Sequence, residues 1–163
     1  MTSSSSNQAA ATFNVSHPCL DCAVSCCQAF RIYVTAFDLS RISQRLGVAP
    51  SEFCLPVQCA GDNLDHRHLA FSLGAEEHFL LGLRRRRQGC LFLMRIGHQR
   101  RCGIHDVRPL VCRSYPLAPY RQKPVMARQA LCPRPWVLND AQTQAFLRLQ
   151  EQREREGCLY QAL

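Results

Sequence analysis

The period of the apolar pattern changes along residues 30–46. Phe30-Arg31-Ile32-Tyr33-Val34 alternates apolar and polar side chains, as a short strand does. Leu39, Ile42 and Leu46 then recur at helical spacing, with Arg41, Gln44 and Arg45 on the other side. Thr35-Ala36-Phe37-Asp38 has the form of a capping box with Asp in place of Glu, and Gly47 stands where a left-handed residue ends a helix. Pro50-Ser51-Glu52-Phe53 reads as the start of a short helix or a turn. His68–Leu73, His78–Leu83 and Cys90–Arg95 are short segments rich in Phe and Leu between Gly-containing turns, which predicts hairpins or a small antiparallel sheet. Residues 113–136 hold five of the nine prolines and are expected to be mostly irregular, because each proline removes a donor and restricts its predecessor. Asn139-Asp140 caps a last helix expected over residues 140–156, with Ala145, Phe146 and Leu149 on its apolar face and Gly157 as its stop. Residues 1–12, rich in Ser and Ala, offer nothing to bury and are expected to be a disordered tail. Residues 13–163 are then expected to be a single α+β domain.

Eleven cysteines change this picture. Four of them fall in Cys19-Leu-Asp-Cys22-Ala-Val-Ser-Cys26-Cys27. Pro18 suits the first position of a helix, and in a helix over residues 18–28 Cys19, Cys22 and Cys26 share one face. Cys27 then points about 100° away from Cys26. Four more cysteines follow at Cys90, Cys102, Cys112 and Cys132. Thiolates are soft ligands that select zinc, copper(I) or iron–sulfur clusters. The first residues show neither the basic n-region nor the apolar h-region of a secretory signal, and no run of 18 apolar residues occurs. A cytoplasmic location without a membrane span is therefore expected. In that compartment clustered cysteines are more often metal-binding than bridged. The expected fold is thus a small, irregular, metal-stabilised α+β domain with a few helices and short antiparallel strands.

The formal charge of +8 suggests an acidic partner at first sight. Ligating sulfurs are deprotonated, so two four-thiolate zinc sites would change the charge by about −4, and a four-thiolate cubane by about −2. A nucleic-acid partner is accordingly not expected. Arg84–Arg87 reads as a solvated hairpin tip rather than a phosphate patch. No Gly-rich nucleotide loop, no H-E-x-x-H and no Ser/His/Asp arrangement stands out.

In four ordered blocks the chain resembles the YkgJ-type cysteine-cluster proteins, a zinc- or iron-chelating family. The blocks are Cys19 to Cys27, Asp38-Leu39-Ser40-Arg41-Ile42, Cys90-Leu91-Phe92-Leu93, and Cys102 to Pro116, with Cys132-Pro133 as a late match. The resemblance spans roughly residues 17–135 and implies a chelated metal rather than a defined reaction. On that pattern the metal ligands are Cys19, Cys22, Cys26, Cys27, Cys90, Cys102, Cys112 and Cys132. They suit either two closed zinc sites or one iron–sulfur cluster of the four-iron, four-sulfur type with the remaining cysteines structural or redox-active. Cys54 and Cys59 lie outside the blocks, Cys158 reads as an isolated thiol, and His17 and His105 are secondary candidates for nitrogen ligands. Arg108 and Arg113 either stabilise a negative thiolate centre, or pair with Asp106 or cap backbone carbonyls, and Tyr115 is expected to pack on the site.

The expected function is metal binding through the cysteine cluster, with a redox or metal-handling role, a metal ion or cluster as ligand and a protein as partner. Two alternatives compete with it. One is an iron–sulfur-dependent transferase or oxidoreductase, since a flagellin lysine methylase carries a related domain. The spacing here, C-x2-C-x3-C, is not the C-x3-C-x2-C usual for radical S-adenosylmethionine chemistry. The other is a zinc-ribbon-like nucleic-acid binder using Arg84–Arg87.

Overall fold

The structure is a computed structural model that describes residues 26–61, 66, 69–72, 77–132 and 136–161. The expected N-terminal tail, Cys19, Cys22, His17 and most of the predicted 18–28 helix lie outside these residues. Among the described residues the chain forms four helices and short antiparallel strands in small sheets, an α+β arrangement.

The first element is helix α1 (Cys26–Ala29), closed by the Phe30 N–H donating to the Cys26 carbonyl at 2.9 Å. Strand β1 (Tyr33–Val34) leads into helix α2 (Ala36–Leu46). The capping box forms as the sequence predicts. The Asp38 N–H donates to Thr35 Oγ1, and the Thr35 N–H donates to Asp38 Oδ2, both at 3.3 Å. Gly47 ends α2 at φ 68°, its N–H bonded to Ser43 O. Leu39 and Ile42 are buried, each adding about 1.5–3 kcal/mol of apolar burial. Leu46 is partly exposed, and the Arg41 side is not simply solvated.

A 3-10 turn (Pro50–Glu52) precedes β2 (Cys54–Gln58). Strand β4 (His78–Leu83) is the centre of the main sheet, pairing antiparallel with β1, β2 and β3 (Phe71–Ser72). Its register sets Cys54 opposite Leu83 and Val34 opposite Leu81. The part of the 68–73 segment that is described as strand is β3 alone. The predicted 90–95 strand is two elements. Strand β6 (Gly89–Cys90) pairs with β5 (Arg85–Arg86), and after a turn β7 (Leu93–Ile96) pairs with β8 (Gln99–Cys102).

Helix α3 (Leu110–Ser114) and the hairpin β9 (Leu117–Tyr120)–β10 (Lys123–Met126) occupy the stretch expected to be irregular. Pro119 and Pro124 face each other in this hairpin. The two-residue turn makes Tyr120 and Lys123 the hydrogen-bonded closing pair, so the next pair needs no N–H across the ladder. Prolines are therefore tolerated there. Helix α4 (Asp140–Gln161) runs through Gly157 rather than stopping at 156. Gly157 does not adopt a left-handed φ, and the buried Tyr160 anchors the following turn. The central core joins Val34, Leu39, Ile42, Phe53, Cys54, Leu83, Cys90 and Ile104, with Cys27 and Cys102 packed at its edge.

Candidate metal centre

Four chain elements, α1, β6, β8 and α3, converge on this edge. The first approach is between backbones. A Cβ placed on Gly89 would lie 2.6 Å from the Cys27 carbonyl oxygen and 3.0 Å from Gln28 Cα, and Gly89 has φ +130°. Only glycine allows β6 to press so closely on α1, and that contact sets Cys90 beside Cys27. Arg85, the first residue of β5, reinforces it by donating to the Gln28 carbonyl at 2.5 Å and to the Phe30 carbonyl. Arg100 from β8 donates to Gln28 Oε1 at 2.6 Å.

Cys90 and Cys102 have the same local construction. Each ends a strand and is followed by a turn, and each sulfur is favoured as thiolate by a backbone hydrogen bond two residues on, from Phe92 and Ile104 respectively. Both of these residues are apolar and pack on the core, with the Phe92 ring 5.8 Å from that of Phe53. The C-x-F-L and C-x-I blocks thus have a physical meaning: the apolar residue anchors the turn whose N–H addresses the sulfur. The Gly103 N–H donates to Phe92 O at 2.8 Å and ties the two turns together.

Cys112 reaches the same place on α3. Asp38 fixes this short helix. Its Oδ1 accepts from the Leu110 N–H at 3.1 Å, one of the first-turn donors that have no partner inside the helix. The same carboxylate accepts from Arg41 Nη2 at 2.6 Å, and Arg41 continues to both oxygens of Glu156 on α4 at 2.6 and 2.9 Å. Asp38, buried to 4% exposure, therefore caps α2, caps α3 and holds α4 through Arg41. The Asp-Leu-x-Arg-Ile block is the scaffold on which Cys112 is mounted.

The thiols reveal their proximity electrostatically. Burial raises Cys102 to about 11, and charge on Cys27 and Cys90 adds to it while Arg108 opposes. Burial pushes Cys112 well above the usual thiol range, and charges on Cys27, Cys102 and Cys90 push the same way. Cys90 is raised by burial and by Cys27, against the Phe92 hydrogen bond and Arg85. Cys27, Cys90, Cys102 and Cys112 are thus mutual neighbours, with Arg85 and Arg108 as nearby cations. Among the described residues no three His, Cys, Asp or Glu side chains stand as a ready-made group for an ion. The donor chemistry still fits a thiolate-bound metal: soft sulfurs, backbone hydrogen bonds to two of them, and cations to balance their charge. A family comparison carries the identification. The model described as "CxxCxxCC: Putative zinc- or iron-chelating domain" matches residues 18–133.

The chain belongs to the CxxCxxCC family. No curated protein and no solved structure matches it.

The other sequence-predicted residues of this CxxCxxCC domain are placed as follows. Cys26 sits beside Cys27 on α1, the neighbour that diverges around the helix. Cys132 accepts a hydrogen bond from Trp136 Nε1 at 3.1 Å. Cys54 is a core residue raised to about 11 by burial, Cys59 lies at the end of β2, and Cys158 is exposed on α4. His105 is exposed. The two arginines divide the roles considered for them. Arg108 lies where its charge favours the thiolates of Cys102 and Cys112. Arg113 binds the Arg108 and Asp106 carbonyls at 2.9 Å, while Asp106 pairs with Arg45 at 2.7 Å. Tyr115 packs edge-on against Phe30 at 5.7 Å and accepts from the Leu131 N–H at 2.6 Å. Arg85 and Gly89 are the positioning residues that spacing alone did not reveal. The only sequence signal for Gly89 is a glycine directly before a cysteine.

Proposed function

We propose that this domain holds an iron–sulfur cluster or zinc through Cys27, Cys90, Cys102 and Cys112, with Cys19, Cys22, Cys26 and Cys132 as further ligands. Residues 13–163 are read as one domain organised around that centre, working in the cytoplasm in redox chemistry or metal handling. The observation that carries the reading is the mutual electrostatic influence of four sulfurs brought from α1, β6, β8 and α3. Four soft donors at one core edge, with Arg85 and Arg108 beside them, suit a net-negative thiolate centre. Cys19 and Cys22 precede Cys26 and Cys27 at spacings that would bring further sulfurs to the same side of the molecule. A bound cluster would supply one-electron transfer, whereas zinc would supply structural cross-linking. Iron–sulfur is the preferred assignment.

The test is anaerobic purification followed by iron, zinc and acid-labile sulfide analysis with a visible absorption spectrum. Iron with matching sulfide and broad visible absorption is expected. A colourless protein carrying zinc would replace the cluster by a structural or chelating site. A protein that takes up neither metal would overturn the proposal.

A further inference from the structure

Beside α3 lies a cavity of about 340 Å³, walled by Tyr33, Leu110 and Val111 and by the polar side chains of Asp38, Gln150 and Arg153. A volume of this order suits a small organic ligand. Gln150 is 6% exposed, yet among the described residues its Nε2 has no hydrogen-bond partner. A buried amide donor left unsatisfied calls for an explanation. The Arg153 guanidinium is answered, among the described residues, by the charges of Asp38 and Glu154 without a hydrogen bond. Two of the neighbouring acids are otherwise engaged. Asp38 accepts from Thr35, Arg41 and Leu110, and Glu156 accepts from Arg41 and Gln152.

Arg153 and Gln150 therefore leave donors unspent, one guanidinium and one amide NH2, beside an apolar wall, while the Glu154 carboxylate is exposed and served by water. A guanidinium fork matches a carboxylate geometrically. An ammonium would leave both donors unsatisfied. A phosphate dianion would meet Asp38, Glu154 and Glu156, which also line the cavity, at greater cost than a single negative charge. We infer that this cavity binds a small monocarboxylate with an apolar body, its carboxylate held by Arg153 and Gln150.

The experiment is saturation-transfer NMR on the full-length, metal-loaded protein, with hexanoate as probe and hexylamine and inorganic phosphate as comparisons. Hexanoate is expected to bind with Kd of about 1 mM, the range open to so small a ligand. Gln150→Glu replaces the amide donor by a carboxylate that repels the ligand's and should weaken hexanoate at least about tenfold. Arg153→Met keeps the apolar stem, removes the fork and should do the same. Unchanged melting temperature and metal content keep these variants interpretable, and if Arg153→Met does not fold, Gln150→Glu decides. Absence of hexanoate binding, equal binding of hexylamine or phosphate, or binding that survives Gln150→Glu would each overturn the assignment.

Discussion

Gly89→Ala is the sharpest single perturbation of the cysteine arrangement. The added methyl would meet the Cys27 carbonyl oxygen at 2.6 Å, Gln28 Cα at 3.0 Å and the Cys27 carbonyl carbon at 3.2 Å. All three are backbone atoms, so no side chain can rotate away. Ordinary contact distances require β6 and α1 to part by roughly 0.5–1 Å. The φ of +130° adds strain that an alanine cannot relieve. Backbone strain of about 1–3 kcal/mol and overpacking of a similar size give a loss of about 2–6 kcal/mol. For a chain of this length that is a fall of about 10 °C in melting temperature. Because the displaced atoms belong to Cys27, metal content should fall in parallel. Gly97→Ala is the matched control, since Gly97 also has positive φ (60°) but none of the described residues lies within 4 Å of its added Cβ. It should cost only about 1–2 kcal/mol and leave the metal in place. Thermal melts paired with metal analysis read both quantities. If Gly89→Ala melts with Gly97→Ala and keeps its metal, the contact between β6 and α1 does not position the sulfurs.

Three further outcomes follow from the same geometry. Asp38→Ala strips a cap from α2, the Leu110 N–H partner from α3 and one partner from Arg41, and should cost about 2–4 kcal/mol in a denaturant titration; a loss under about 1 kcal/mol would contradict its bridging role. Gln122→Gly should stabilise the β9–β10 turn by about 1 kcal/mol, because Arg121 and Gln122 both hold positive φ without being glycine; a lower melting temperature would refute it. Metal uptake should strengthen with rising pH. Cys102, raised to about 11, and Cys112 hold their protons well above the ordinary thiol range, so each ligating sulfur must give one up. Conversely, the metal-free fold favours the protonated thiols and should lose stability as pH climbs from that ordinary range toward 11. A competition titration from about pH 6 to 8 that shows no pH dependence would contradict this.

What the sequence revealed was what is local. The Thr35–Asp38 capping box, the Leu39/Ile42 stripe, Gly47 and strand β4 each depend on neighbours within a few residues. The misses are non-local or disguised. Strand β2 contains Pro56 and begins at Cys54, in a stretch where no strand is expected. The β9–β10 hairpin lacks the Asn-Gly or Asp-Gly that marks such a turn and carries a facing pair of prolines. Helix α3 is only five residues long and takes its cap from Asp38, seventy-two positions earlier. The buried Gln150 on the α4 face that carries Phe146 is polar, so hydrophobic periodicity passes over it. At the site, cysteine spacing pointed to the segments of α1, β6, β8 and α3 whose sulfurs come together. Which sulfurs meet depends on Gly89 seating against Cys27 and on Asp38 seating α3, and neither contact is written in spacing.

The central claim is that Cys27, Cys90, Cys102 and Cys112 form one metal-binding set while Cys54 belongs to the core. Metal stoichiometry of single Cys→Ser variants, purified anaerobically side by side, tests it directly. Cys112→Ser and Cys102→Ser should lose metal, whereas Cys54→Ser should lose stability but retain it. Full metal content in Cys112→Ser, or equal loss in Cys54→Ser, would contradict the account.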